Sequence, residues 1–304
     1  MTRKNYSQEQ YAAIQKEKMD EILKSLEEGV RNVFSSENYI KYLETFSRFH
    51  NYSINNIILI LMANPAASHV ASYMDWKKKF NRSVKKGEHG IRILVPTPKK
   101  ITAEREVTNP DGTVTTEEVE YKRMYFKQGT VFDVSQTEGE ELPSLVKNLT
   151  WNDEALAASV NTIMQDSPVP ISFDDELTDG SANGYYSLTS GEIKVKPTLS
   201  NLHMLKTVCH ELSHAYQETA YAESVKELDR SSKEVIAESC AFCVLRLLSQ
   251  EYSIPQIDSA MYSFGYLAGW GSRDLKELKA TLNLIRDITE IIFNQVSPAF
   301  STAA

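Results

Sequence analysis

The stretch His210-Glu211-Leu212-Ser213-His214 sets the reading of the chain. On a helix, side chains four positions apart leave the same face. The two imidazoles can then grip one cation while Glu211 lies beside them. A catalytic zinc takes three protein ligands and keeps a fourth position for water, so the third ligand has to come from further along. Downstream stands Lys233-Glu234-Val235-Ile236-Ala237-Glu238-Ser239-Cys240-Ala241-Phe242, whose Val235, Ala241, Phe242 and Leu245 predict a buried helix. Two carboxylates on a buried helix are costly to keep charged unless a metal or hydrogen bonds hold them. The simplest division gives the metal to Glu234 and lets Glu238 orient a ligand histidine through its other ring nitrogen. The reverse assignment stays open.

The chemistry follows from these roles. Bound zinc lowers the pKa of water toward about 7 and polarises a carbonyl. Glu211 is placed to accept the water proton and return it to a leaving amine, which is metal-assisted peptide hydrolysis. The bland alternatives are a helix with two solvated or core histidines, and a partner helix whose carboxylates face water. His203 is a further candidate neighbour of the metal, against a role as a loop or cap residue. Cys240 and Cys243 form Cys-x-x-Cys, but no second cysteine pair completes a metal site, and buried packing is the simpler expectation. Cys209 is expected in the core. Tyr262, Tyr266 and Trp270 are either core aromatics or a source of an oxyanion donor.

Working outward, Gly184 to Val195 contains two strand-like runs joined by a Gly-containing turn, a hairpin whose edge can pair with an extended peptide. Helices are predicted from Gln8 to about Arg31, from the Ser35-Ser36 cap through Phe49, from Ile54 to Met62, and around Trp76 and Phe80, ending near Val84 to Gly87. Ile91 to Val95 reads as a strand broken by Pro96 and Pro98. Thr102 to Glu120, acidic and Thr-rich, reads as a hairpin or loop, and Arg123 to Val134 as a returning strand. Ser135 to Pro143 is the best linker candidate, which puts a domain boundary near residue 148. A helix from Asp153 to about Gln165 follows, and the chain from Met204 onward is mainly helical.

The net charge of −8 is unevenly spread. Residues 1–145 hold 21 Lys or Arg and 20 Asp or Glu, whereas residues 146–304 hold 12 and 21. Trp76 to Lys100 carries nine basic residues and one acid, suited to an anionic partner. Arg48, Tyr52, Asn55, Trp76, Lys77, Lys78, Arg82, Lys85 and Lys86 are the candidates for contact with single-stranded DNA. Aromatics there would stack on bases at about 1–3 kcal/mol each while the cations follow the backbone. Against this stands the rule that aromatics at helical spacing are usually core. Three cysteines without framework spacing fit a reducing compartment, hence an expected cytoplasmic location. The longest apolar run, Ile57 to Ala63, is far short of the roughly 20 residues a membrane helix needs, so no membrane partner is expected.

The carboxyl half resembles the ImmA/IrrE and ArdC group of zinc metallopeptidases through His210-Glu211-Leu212-Ser213-His214 followed by Glu234 and Glu238. Tyr262-Ser263-Phe264-Gly265-Tyr266-Leu267-Ala268-Gly269-Trp270 is similar to the aromatic stretch of the ArdC/LtrC-like branch. The amino half resembles the single-stranded-DNA-binding domain of ArdC-type proteins. The matching stretches are Phe49-His50-Asn51-Tyr52-Ser53-Ile54-Asn55-Asn56, Trp76-Lys77-Lys78, Val84-Lys85-Lys86-Gly87-Glu88-His89-Gly90 and Val131-Phe132-Asp133-Val134-Ser135-Gln136-Thr137. The acidic stretch Thr102 to Glu120 departs from the family pattern by its length. The resemblance implies an antirestriction protein of a plasmid, conjugative element or phage.

The expectation is therefore an α+β chain. A mixed α/β nucleic-acid-binding domain spans residues 1–148, and a zincin-like, mainly helical metallopeptidase domain with a β-hairpin edge spans residues 149–304. Its cofactor is Zn2+ and its partners are single-stranded DNA and a protein substrate of unknown identity. The competing class is a protective DNA-binding protein that keeps zinc for structure.

Overall fold

The computed structural model describes residues 8–34, 36–108, 114–142, 153–179, 182–256, 262 and 274–301. The chain packs as two compact units, Met1–Leu26 with Val70–Gly139, and Glu27–His69 with Glu140–Ala304. The packing units thus interleave along the sequence.

Helix α1 (Gln8–Val33) carries Ile22, Leu26, Val30 and Val33 on one buried stripe. In the second unit, α2 (Ser36–Arg48) buries Tyr39, Tyr42, Leu43 and Phe46, an i, i+3, i+4, i+7 pattern. The Tyr39 hydroxyl lies 2.8 Å from Ser239 Oγ, deep in the carboxyl-terminal half. Helix α3 (Ile54–Ala63) is apolar almost all round and is buried accordingly. Ser53 starts it by accepting the Asn56 N–H. Gly29 lets α1 approach α3, since a Cβ there would sit 2.2 Å from Met62 Sδ. These contacts are why residues 27–69 belong with the carboxyl-terminal half.

In the first unit, β1 (Val70–Ala71) precedes α4 (Tyr73–Lys79), and β2 (Arg82–Val84) follows at once. The helix around Trp76 therefore ends earlier than expected, and Arg82 to Val84 is a strand. Next come β3 (Ile91–Thr108) and β4 (Val114–Asp133), paired antiparallel from Ile91↔Val131 to Thr108↔Val114. The strand predicted to break at Pro96 and Pro98 instead runs through both. The sheet order is β1-β4-β3, so β3 has a free edge. The two prolines stand two positions apart, so both missing N–H groups fall on the same side of the strand, and at an edge that side needs no partner. The stretch Thr102 to Glu120 completes this two-stranded ribbon, with residues 109–113 outside the described set. Strand β5 (Thr137–Gly139) pairs with β2, so part of the expected linker is a strand.

The second unit continues with α5 (Asp153–Asp166) and a small sheet of β6 (Ile171–Phe173), β7 (Gly184–Tyr186) and β8 (Ile193–Val195) in the order β6-β8-β7. Strands β7 and β8 form the expected hairpin, and β7 is an edge strand. Then come α6 (Asn201–Glu218), α7 (Ala222–Val225), α8 (Arg230–Tyr252), α9 (Leu275–Val296) and α10 (Pro298–Ser301). Asp229 caps α8 by accepting the Ser232 N–H, and α8 is buried on most sides. The overall class is mixed α+β. Among the described residues, no helix is long and apolar enough to cross a membrane.

Candidate metal centre

Helices α6 and α8 pack together and bring His210, His214 and Glu234 to one point. His210 Nε2 lies 3.2 Å from His214 Nε2, and Glu234 Oε2 lies 3.4 Å from each. A tetrahedral ion with bonds of about 2.0–2.1 Å to nitrogen and oxygen has ligand–ligand edges of about 3.3–3.4 Å, so this triangle fits a divalent cation. Two imidazole nitrogens facing each other at 3.2 Å need either a shared hydrogen or a metal ion between them.

Behind the triangle, the Nδ1–H of His210 donates to Glu238 Oε2 at 2.9 Å. That bond leaves the Nε2 lone pair directed at the triangle. Lys206 Nζ donates to the other oxygen of Glu238 at 2.8 Å, with Nζ 4.4 Å from the Tyr262 ring centroid. The geometry separates the two carboxylates: Glu234 joins the histidine nitrogens and Glu238 supports His210 from behind. Lys206 was not singled out from sequence. Its position one turn before His210, on the same helical stripe, was the signal that could have found it.

Electrostatics follow the contacts. Hydrogen bonds from His210 and His214 hold Glu234 well below the usual carboxylate range. Burial by itself would raise Glu238, but bonds from His210 and Lys206 outweigh it and hold the carboxyl low. Burial works against a protonated His210, yet Glu234 and Glu238 prevail and push it up to about 9. Glu211 is only 7% exposed. Burial raises its carboxyl, opposed by His210 and His214 and by the Tyr186 backbone N–H bonded to it.

A cavity of about 420 Å3 lies against the triangle, with Tyr186, Leu188, Glu211 and Arg230 in its wall. A second, of about 280 Å3, lies on the Lys206 and Glu238 side and also touches Gly184, His210 and Glu211. Gly184 is required by this close approach: a Cβ there would lie 2.7 Å from Thr207 Cγ2 and 2.9 Å from the Lys194 carbonyl oxygen. Glycine thus seats the edge strand β7 directly on the histidine helix. A larger cavity of about 580 Å3, lined by Tyr221, Asp229, Glu277 and Asp287, contains none of these groups.

Other sequence candidates fall elsewhere. His203 Nδ1 lies 2.9 Å from Ser200 Oγ at the start of α6, outside the triangle. Cys209, Cys240 and Cys243 are free and fully buried, and burial pushes Cys240 up to about 12. Tyr262 packs edge-on against Phe242 as a core aromatic. Tyr266 and Trp270 lie outside the described residues.

The nine nucleic-acid candidates divide between the two units. Arg48, Tyr52 and Asn55 belong to the second. Arg48 Nη1 donates to the Ala67 carbonyl at 2.9 Å, and Tyr52 meets Phe49 edge-on. Trp76, Lys77, Lys78, Arg82, Lys85 and Lys86 belong to the first. Trp76 is 1% exposed and its indole N–H donates to the Phe132 carbonyl at 2.8 Å, so it has no face to offer a base. Its place among the contact residues is corrected: apolar burial claimed the ring. Arg82 is turned onto β5, donating from Nε to Thr137 Oγ1 at 2.7 Å and from Nη2 to the Thr137 carbonyl at 3.1 Å. Lys77, Lys78, Lys85 and Lys86 are exposed, with Lys85 Nζ bonded to the Ser135 carbonyl at 2.8 Å.

Residues 12–132 match the family described as the N-terminal domain of anti-restriction factor ArdC. The Mn(II)-bound structure of the antirestriction ArdC protein from plasmid R388 is 17% identical and superposes with a TM-score of 0.52, over 90% of this chain and 98% of that one. The metal-free structure of the same protein is 19% identical, with a TM-score of 0.46 over 81% of this chain and 86% of that one. No curated protein sequence matches. Residues 12–132 thus match the ArdC amino-terminal domain family, and the chain shares the fold of the Mn(II)-bound ArdC structure.

Proposed function

We propose that this chain is an antirestriction protein of a mobile element that joins a zincin-like, zinc-dependent peptidase site in residues 149–304 to a single-stranded-DNA-binding module in residues 1–148, acting in the cytoplasm. The observation that carries the peptidase reading is Glu211, a buried carboxylate beside the His210, His214 and Glu234 triangle that is not itself a corner of it. A purely structural zinc has no use for such a base.

His210, His214 and Glu234 would hold the ion, and the nitrogen and oxygen donors with tetrahedral edges favour zinc. When bound, zinc supplies an acidified water and a polarised carbonyl. Glu211, whose carboxylate lines the cavity beside the triangle, would be the proton acceptor there. Its carboxyl is raised by burial, which makes it a stronger base than a solvated one. It then delivers the proton to the departing amine. Glu238, held by Lys206, fixes the tautomer and ring plane of His210. The outer edge of β7, beside the 420 Å3 cavity, offers backbone groups to an extended peptide.

The test is Glu211→Gln, which keeps size and hydrogen bonding but removes the base. Hydrolysis of candidate partner proteins should fall by about 10² to 10⁴ while bound metal is unchanged. If Glu211→Gln protects incoming DNA as well as the wild type, and neutralising Lys77, Lys78, Lys85 and Lys86 abolishes protection, proteolysis is not what protection uses.

A further inference from the structure

The stem of the β3–β4 ribbon places cations opposite cations. In the antiparallel register Lys99 faces Arg123, and on the next rung Lys100 faces Lys122. Like charges directly opposite one another destabilise a ladder. Among the described residues, Lys100 has a salt bridge at 3.3 Å, to Glu120. Lys99 Nζ and the Arg123 guanidinium instead converge on one ring, 5.4 and 5.6 Å from the Tyr125 centroid.

The period of two in a strand puts Tyr121, Arg123, Tyr125 and Lys127 on one face of β4, and Lys99 shares that face by register. Tyr121 is 44% exposed and Tyr125 39%. The stem is therefore a two-stranded ribbon with two solvent-exposed aromatic rings, Tyr125 already contacted by two cations, at an electrostatic cost to the free protein. Further along, Glu104 faces Glu118 and the charge changes sign, so the basic aromatic segment is bounded.

We propose that this stem face is a stacking platform for single-stranded nucleic acid, with bases on Tyr121 and Tyr125 and phosphates on Lys99, Arg123 and Lys127. An anion between Lys99 and Arg123 turns the repulsive rung into a bridged one. Open rings suit unpaired bases, since a duplex keeps its bases stacked on each other. A second copy of the chain is a poor occupant, because the stem cations of two copies repel, and Pro96 and Pro98 remove N–H donors from the β3 edge. The platform rests on the single-strand reading above and gives it an address that the sequence candidates did not include.

The experiment measures binding of a labelled oligothymidylate to the full-length, metal-loaded chain across a salt series, with polyglutamate as a base-free polyanion. Tyr121→Ala/Tyr125→Ala should weaken the oligonucleotide by roughly 5- to 150-fold per stacked base and leave polyglutamate unchanged. Lys99→Gln/Arg123→Gln removes a repulsive rung, so it should keep its melting temperature while the log–log salt slope falls by about 1.4. Wild-type affinity in both variants would overturn the platform and leave DNA binding elsewhere intact. Loss in the cation variant alone, equal for oligonucleotide and polyglutamate, would make the stem a mere polyanion contact and also overturn it. A wild type that binds no oligonucleotide at low salt would end the single-strand reading itself, and the platform with it.

Discussion

The α6–α8 pair and the β3–β4 ribbon hold their charges in opposite ways. Between the helices each central charge answers another: Glu234 meets two histidines, Glu238 meets His210 and Lys206, and Lys233 Nζ meets Glu218 at 2.7 Å. In the ribbon, Lys99 and Arg123 face one another in water. The reason is dielectric. A buried ion left without a partner costs several kcal/mol, so sequence positions that share a buried face must match in charge. An exposed like-charge pair costs a fraction of that, so a strand can keep one for a ligand.

The largest expected effect separates the two regions by metal content. His210→Ala or His214→Ala should lose stoichiometric metal in elemental analysis, and Lys99→Gln/Arg123→Gln should retain it. Within the helix pair, Glu238→Gln should keep the ion but bind it about 10- to 100-fold more weakly in a chelator competition, the range for a partner that orients a ligand. Full metal retention in Glu234→Gln, with loss in Glu238→Gln, would exchange the two carboxylate roles.

A pH series sharpens the same contrast. In the metal-free chain His210 is raised to about 9 from its ordinary value of 6.5. Its contribution to stability is fully present below about 6.5 and is lost as pH rises through about 9. The lowered Glu234 and Glu238 contribute in the opposite sense, above the ordinary carboxylate range, and fade only as acid reaches their depressed values. The melting temperature of the chelated protein should therefore drop between pH 6.5 and 9. Metal-loaded protein should not show that drop, because the ion replaces the proton. Equal slopes with and without metal would show that the triangle does not hold the ion.

The smallest effect probes the packing around the site. Tyr39→Phe removes the hydroxyl that meets Ser239, while Ser239 keeps its 2.6 Å bond to the Val235 carbonyl. A loss of about 0.5–1.5 kcal/mol in urea unfolding is expected. No loss would mean that α2 contributes to α8 through its apolar face alone.

The sequence by itself placed His210 and His214 on one side of a helix, because side chains four positions apart on a helix leave the same face whatever packs against it. It also pointed to α8, whose carboxylates among apolar residues require compensation, and to the Gly184–Val195 hairpin, written in local turn chemistry. Only the tertiary structure decided which carboxylate turns toward the histidines, since Glu234 and Glu238 lie one turn apart and the packing angle of α8 on α6 selects between them. The same holds for Trp76, where basic neighbours suggested a DNA contact but the ring's apolar area favoured the interior. Residues 27–69 joined the carboxyl-terminal half because Tyr39 and its neighbours are buried there. The ribbon ran through Pro96 and Pro98 because only the strand order shows which edge lacks a partner. Periodicity records which side of an element is apolar; what meets that side is set by contacts between residues far apart in the chain.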